Sequence, residues 1–187
     1  SERLDALSAS CRSKETNIGN FIAEAYRGSV GADVGFVNGG SIRADLTYEP
    51  GPLTKRDVLS LLPFNNPIVK VEVTGKVLKA ILEHSVARSA PGEDSEPGRF
   101  PQLSGLRFEY DVKRPAGSRV VSVTVGGSPL DEVKTYTVAT SDFLVSRSGD
   151  GYTMFKEGKV LGNAATGPKD SDVFEAAIKT APNSTIG

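Results

Sequence analysis

The chain has 187 residues, 38% hydrophobic and 24% charged, which is the composition of an ordinary soluble globular protein with one good core. Its 22 basic and 23 acidic residues nearly cancel, which excludes the long-range field that would hold a nucleic acid duplex or an anionic membrane. The single cysteine, Cys11, excludes an internal disulfide, and no apolar run reaches the roughly 18 to 20 residues of a membrane-spanning segment.

The first third of the chain predicts a helix followed by a buried strand and a tight turn. An apolar stripe at helical spacing predicts an amphipathic helix over residues 17–27, with Gly28 just past its end. Residues 33–37 form a short apolar run that is typical of a buried strand. The run ends in Asn-Gly-Gly-Ser at residues 38–41, a turn of the kind on which function tends to lie.

The middle of the chain predicts two more helices with a strand between them. Thr54 to Asp57 has the spacing of a capping box and predicts a short helix through Leu62, which the following proline must end. Phe64 is therefore expected on a loop. The alternating residues 68–73 predict a strand, and the next segment predicts a helix over 75–88.

The second half is predicted to be rich in strands. Residues 89–103 combine prolines, glycines and charges and are expected to form an exposed loop. Three β-branched segments, at residues 106–112, 119–125 and 135–140, predict an antiparallel meander, and residues 171–180 predict a last helix. The irregular order of helices and strands favours a single α+β domain with helices packed on a mixed sheet.

Several kinds of catalytic chemistry are missing from the sequence. A two-metal site usually draws on several histidines, and the only histidine is His84, which is expected to have a structural role inside its helix. There is no GxSxG elbow, no phosphate-binding GxxxxGK[ST] loop and no GxGxxG motif after a strand. Catalysis by this chain alone is not expected, and neither is a metal site or a cofactor in it.

Four loop segments carry groups that a nucleotide would need: a guanidinium, an aromatic ring or a carboxylate. They are CRSKETNIGN at residues 11–20, NGGSIR at 38–43, LPFN at 62–65 and DFLVSRSGDGY at 142–152. In this order, across roughly residues 8–160, they resemble the C-terminal domain of the 5'-nucleotidase family. That family includes bacterial periplasmic UDP-sugar hydrolases and animal surface ecto-5'-nucleotidases.

The resemblance implies a larger enzyme whose chemistry is divided between two domains. An N-terminal calcineurin-like metallophosphoesterase domain would carry two divalent ions of the zinc or manganese type. The present chain, residues 1–187, would be the nucleotide-binding domain that holds the substrate against those ions. Its implied partners are a nucleotide and that N-terminal domain, and the implied location is periplasmic, cell-surface or extracellular.

The resemblance also assigns polar site residues by their place in the motifs. Arg12 and Arg43 match arginines that contact the phosphate side and the ribose of the substrate, and a guanidinium suits this because it grips phosphate oxygens in pairs. Asn38 and Asp150 match residues that bind the nucleoside, with Asp150 accepting from ribose hydroxyls. Ser8 stands where some bacterial members carry a further arginine, so the number of phosphate contacts is open.

Two aromatic residues complete the expected site. Phe64 and Phe143 match the pair that sandwiches the nucleobase, and stacking on each ring contributes on the order of 1–3 kcal/mol without depending on base identity. Tolerance of purines and pyrimidines alike is therefore expected. The preferred substrate, among monophosphates, nucleotide sugars, di- or triphosphates and cyclic nucleotides, depends on both domains and is left open.

Two other classes of protein compete with this interpretation. A stand-alone nucleotide-binding module without catalysis would use the same loops and would never have had a metal domain. A protein-interaction domain would use the exposed loop at residues 89–103, although nothing else in the sequence favours it. The paired aromatic residues together with Arg43 and Asp150 are the features that favour the first interpretation.

Overall fold

Residues 2–89, 98–162 and 166–181 are described in the computed structural model of this chain. Their helices are α1 (Ser8–Cys11), α2 (Asn17–Val30), α3 (Lys55–Leu61), α4 (Gly75–Ser85), α5 (Asp142–Val145) and α6 (Asp170–Thr180). Their strands are β1 (Leu4–Asp5), β2 (Val34–Asn38), β3 (Thr47–Tyr48), β4 (Ile68–Thr74), β5 (Pro101–Ser104), β6 (Leu106–Tyr110), β7 (Val120–Val125), β8 (Ser128–Pro129), β9 (Thr135–Ser141) and β10 (Lys159–Leu161). Short 3₁₀ turns include residues 39–41 and 149–151.

A five-stranded mixed sheet with the order β10-β4-β9-β2-β5 forms the centre of the molecule. Strands β2 and β9 are parallel, and every other neighbouring pair is antiparallel. All five residues of β2 are buried, which explains its continuous apolar sequence, because helices or strands cover both faces of the sheet. The predicted α+β architecture with a mixed sheet and packed helices in one domain is confirmed.

Each face of the central sheet buries its own hydrophobic core. One core joins the apolar stripe of α4 to residues from β6 and β7 and to Tyr152 and Phe155. The other core joins α2, α3 and α6, with Ile22, Leu61 and Phe174 fully buried. The sheet is therefore fixed from both sides, and the loops at its edges start from a rigid base.

The first predicted helix is longer than its sequence pattern indicated. Helix α2 continues through Gly28 to Val30, and Gly31, at φ 60°, is the residue that ends it. A glycine at this position adopts the left-handed conformation without steric cost, whereas Gly28 stays helical. Helix α4 is three residues shorter than predicted. Its last turn ends where the guanidinium of Arg119 donates to the carbonyl oxygens of Val86 and Ser89.

Two predictions about strands are wrong in part. The expected exposed loop over 89–103 includes β5, which pairs with β2 and buries Pro101 and Gln102; residues 90–97 of that loop lie outside the described residues. The third member of the expected meander, β9, leaves β6, β7 and β8 and enters the central sheet. Its small or apolar residues 138–141 are all buried, which suits a central strand.

In the described part of the chain, no helix has the length and apolar character needed to cross a bilayer.

Candidate functional site

The sheet topology collects three of the four motif loops at one edge, and the fourth, residues 11–20, reaches it where Cys11 packs on Gly39. Because β2 and β9 are parallel, both end there, and their antiparallel neighbours β5 and β4 begin there. Asn38, the last residue of β2, lies opposite Pro101, and Ser141, the last residue of β9, lies opposite Ile68. The loops at residues 38–43, 62–65 and 142–152 are therefore attached to adjacent strands of the sheet.

Asn38 and Asp150, which are 112 positions apart in sequence, form a hydrogen-bonded pair. The Asn38 side chain is 3% exposed, and its Nδ2 donates to Oδ2 of Asp150 at 2.6 Å. Its other amide atom, Oδ1, accepts from the hydroxyl of Ser41. The buried amide is thus satisfied at both ends and fixes one oxygen of the Asp150 carboxylate. Oδ1 of Asp150 has no hydrogen bond among the described residues.

The backbone around Asp150 is held in an unusual conformation. Asp150 has φ 51° and ψ 18°, a left-handed conformation that costs a residue with a side chain of order 1 kcal/mol. Its carbonyl oxygen lies 2.9 Å from Nε2 of His84, which must donate because the carbonyl can only accept. Burial is the main reason that the pKa of His84 is lowered. This contact agrees with the structural role expected for His84. The sequence pattern did not indicate that its partner is the Asp150 carbonyl.

Arg12 lies beside the Asn-Gly-Gly turn. It caps the C-terminus of α1, where its backbone N–H donates to the carbonyls of Ser8 and Ser10. Gly39 packs so closely on this segment that a Cβ would collide with the carbonyl oxygen of Cys11 and crowd the Cα of Arg12. The first glycine of the turn is therefore required for the approach of the Arg12 segment to Asn38.

Arg43 and Phe64 form a second pair of predicted site residues. The guanidinium carbon of Arg43 lies 5.9 Å from the centre of the Phe64 ring, within the range of a cation–π contact. The backbone N–H of Arg43 donates to the carbonyl of Leu61 at 3.0 Å, which ties the two loops together. The Phe64 side chain is 55% exposed, so the predicted loop position of this ring is confirmed by its geometry.

Phe143 lies at the same edge of the sheet, just after strand β9. It belongs to α5, and its ring packs on Gly149 so closely that any side chain there would collide with it. The N–H of Asp142 donates to the carbonyl of Pro67 at 2.8 Å, which joins the segments that carry Phe143 and Phe64. Phe143 is half-buried against the core, whereas Phe64 faces solvent.

Backbone strain is concentrated around these loops. In the described ranges, four residues other than glycine have positive φ: Asp45, Asn65, Ser148 and Asp150. Each of them is at most two residues from Arg43, Phe64 or Asp150, or is Asp150 itself. Such conformations persist where surrounding structure imposes them, and they are enriched at binding and active sites. Three of the four are Asp or Asn, the residues with side chains that adopt this conformation most readily in tight turns.

The candidate residues in the motif loops around this edge are two arginines, one carboxylate, one buried amide and two aromatic rings. Burial raises the pKa of the nearby Cys11 thiol to about 11, so this group stays protonated and is no nucleophile at neutral pH. No group of three or more His, Cys, Asp or Glu side chains among the described residues is arranged to hold a metal ion.

A solved structure with the same fold comes from a 5'-nucleotidase precursor of Thermus thermophilus. The two superpose with a TM-score of 0.84 and 37% identity over 95% of this chain and 35% of that one. Residues 2–157 match the family model described as 5'-nucleotidase, C-terminal domain. The chain therefore belongs to the family of 5'-nucleotidase C-terminal domains, as its motifs predicted.

Relatives of known name agree with this membership. A trifunctional nucleotide phosphoesterase of Bacillus subtilis is 34% identical in an alignment of 192 positions that covers 96% of this chain and 12% of that protein. A snake venom 5'-nucleotidase of Gloydius brevicauda is 34% identical in an alignment of 173 positions that covers 82% of this chain and 29% of that protein. The chain thus spans about a third or less of the length of these relatives.

Proposed function

We propose that this chain is the nucleotide-recognition domain of a metal-dependent phosphohydrolase of the 5'-nucleotidase type. The observation that carries the proposal is the convergence of two contacts at one sheet edge: Asn38 with Asp150, and Arg43 with Phe64. Each contact joins motifs that are distant in sequence, and each leaves a group available for a ligand. A stand-alone nucleotide-binding module is the alternative, and it shares the same site.

In the proposal, the carboxylate of Asp150 accepts hydrogen bonds from the ribose hydroxyls. Asn38 already donates to one carboxylate oxygen, so Asp150 is oriented before the ligand arrives and little freedom is lost on binding. Arg12 and Arg43 bind the phosphate side, and Asn38 orders the turn between them. Guanidinium groups are suited to phosphate because two parallel N–H groups can meet two oxygens.

The nucleobase binds between Phe64 and Phe143 in this proposal. The Phe64 ring is largely exposed to solvent, and the guanidinium of Arg43 lies over the ring. Phe143 packs against the core and on Gly149, whereas Phe64 is largely exposed, so we expect the Phe143 wall to move less than the Phe64 wall. Stacking does not require a particular base, and purine and pyrimidine nucleotides should both bind.

Hydrolysis belongs, in this proposal, to the part of the relatives' length that this chain does not span. Two divalent ions of the zinc or manganese type would activate a water molecule there, and the described residues of this chain provide no set of ligands that fits such ions. The metal-bearing domain is therefore the proposed partner. The resemblance to a snake venom enzyme supports an extracellular location, and the family resemblance extends the proposal to the cell surface or the periplasm.

Calorimetric titration of the chain with AMP and adenosine, without metal, tests the site. We expect AMP to bind. Phe64→Ala should weaken AMP binding by about 1–3 kcal/mol through lost stacking. Arg43→Ala should weaken the binding of AMP more than that of adenosine. Phe143→Ala should weaken both ligands. Val133→Ala, at an exposed position on the β8–β9 connection, is the matched control and should change nothing. Unchanged affinity in all three site variants would remove the assignment.

Phosphate release from AMP in the presence of Mn²⁺ or Zn²⁺ tests the division of roles. We expect no turnover by the 187-residue chain, because its groups bind the substrate and do not activate water. Fusion to a metallophosphoesterase domain of a related enzyme should restore turnover that Phe64→Ala reduces. If metal-dependent phosphate release instead stays with the 187-residue chain through purification, hydrolysis does not need a second domain.

A further inference from the structure

Gln102 has a buried side chain on the strand next to the Asn-Gly-Gly turn. It lies in β5 opposite Val37, one position before Asn38, and is 0% exposed. A buried primary amide must find partners for two N–H groups and a carbonyl oxygen, or it destabilises the fold. The partners that Gln102 finds all belong to one short segment, residues 11–16.

The amide of Gln102 makes four hydrogen bonds to this segment. Its Nε2 donates to the carbonyl oxygens of Cys11 at 3.0 Å and Lys14 at 2.8 Å. Its Oε1 accepts from the backbone N–H of Thr16 at 2.9 Å and from the Thr16 hydroxyl at 3.3 Å. These contacts lie on both sides of Arg12 in sequence, so the backbone that carries Arg12 is fixed on both sides.

Two glycines shape the space around this contact. A Cβ on Gly19, in the first turn of α2, would collide with the Gln102 amide, and a Cβ on Gly39 would collide with the Cys11 carbonyl. The segment is thus held between β5, α2 and the turn that follows β2. Hydrogen bonds from Gln102 set its position along the sheet edge, and Gly39 sets its distance from Asn38.

We infer that Gln102 is a positioning residue that holds Arg12 in register with the phosphate side of the nucleotide site. The inference rests on the proposed function, because it takes Arg12 to contact the phosphate. A purely structural glutamine would affect all ligands through overall stability. A positioning residue affects the phosphate-bearing ligand more than the nucleoside, since only the former uses Arg12.

The test compares the affinities for AMP and adenosine in Gln102→Met, which keeps the size of the side chain and removes all four hydrogen bonds. The wild type should prefer AMP, and Arg12→Ala should reduce that preference by about tenfold or more. Gln102→Met should reduce it similarly, with adenosine affinity nearly unchanged. In the Arg12→Ala background, Gln102→Met should not reduce the preference for AMP over adenosine any further. Val123→Ala, a destabilised control in β7, should keep the preference.

Different failures point to different conclusions. If the wild type binds neither ligand, the proposed function is wrong. If it prefers AMP through Arg12 but Gln102→Met keeps that preference, or weakens both ligands equally, the positioning role is wrong. Should Gln102→Met not fold, nuclear magnetic resonance of the wild type decides the matter. The side-chain NH₂ signals of Gln102 should shift on adding AMP and stay in place with adenosine, and equal responses would overturn the inference.

Discussion

At the scale of single residues, the contact between Asn38 and Asp150 is sensitive to charge. Asn38→Asp would replace the donor at 2.6 Å by a carboxylate oxygen and bring two acidic groups together in a nearly buried position. Like charges at this distance raise the pKa of one carboxyl group. We expect a loss of unfolding free energy of about 1–3 kcal/mol at pH 7 that is partly recovered on acidification to pH 5. Urea denaturation at both pH values measures it, and Ser118→Asp, which adds a carboxylate at an exposed position, is the control.

His84 predicts a second effect, on the pH dependence of stability. Because its pKa is lowered in the folded chain, the unfolded chain takes up the proton first as pH falls below about 6.5. The contribution of this group is therefore complete above that pH and is lost on going down through the folded-state pKa. The urea midpoint should fall on going from pH 7.5 to pH 5.5, and it should fall less in His84→Gln than in the wild type. The glutamine keeps an Nε2 donor and does not titrate. Parallel falls in both proteins would contradict the prediction.

At the scale of elements, two glycines with opposite surroundings predict opposite changes. Gly28 lies inside helix α2 with no atom within 4 Å of a Cβ, so Gly28→Ala should stabilise the chain by about 0.5–1 kcal/mol. Gly39→Ala should destabilise it, because the new Cβ meets the backbone of Cys11, which cannot rotate away. Thermal unfolding measures both. A loss of stability in Gly28→Ala would show that its helix ends earlier than Gly31.

The same elements show what could be predicted from sequence and why. Helix α3 was predicted because Thr54 and Asp57 make both bonds of the capping box, a local contact visible in four residues. Strand β9 was assigned to the wrong sheet because its partner β4 lies more than 60 residues away, and pairing over that distance leaves no local pattern. The six site residues were proposed through motif resemblance. The Gln102 contacts were not found, because β5 begins with a proline beside a segment rich in glycine and charge.

At the scale of the whole molecule, the two cores that flank the central sheet separate stability from recognition. Phe64 contributes to neither core and is largely exposed, so Phe64→Ala should leave the melting temperature without ligand unchanged within about 2 °C. Ligand binding to the folded chain alone stabilises it by roughly 2.7 kcal/mol at a hundredfold excess over Kd. For a chain of this size, that corresponds to a rise of about 5–10 °C in melting temperature with AMP.

The thermal shift therefore gives a readout of the site that is independent of calorimetry. We expect Phe64→Ala to melt like the wild type without AMP and to lose between about a third and nine tenths of the AMP-induced rise, which is what a loss of about 1–3 kcal/mol in stacking removes at this ligand excess. Leu59→Ala, which removes another exposed apolar side chain, from helix α3, should keep both the unliganded melting temperature and the rise. A full AMP-induced rise in Phe64→Ala, measured at the same free ligand concentration, would mean that the nucleobase binds elsewhere on the molecule.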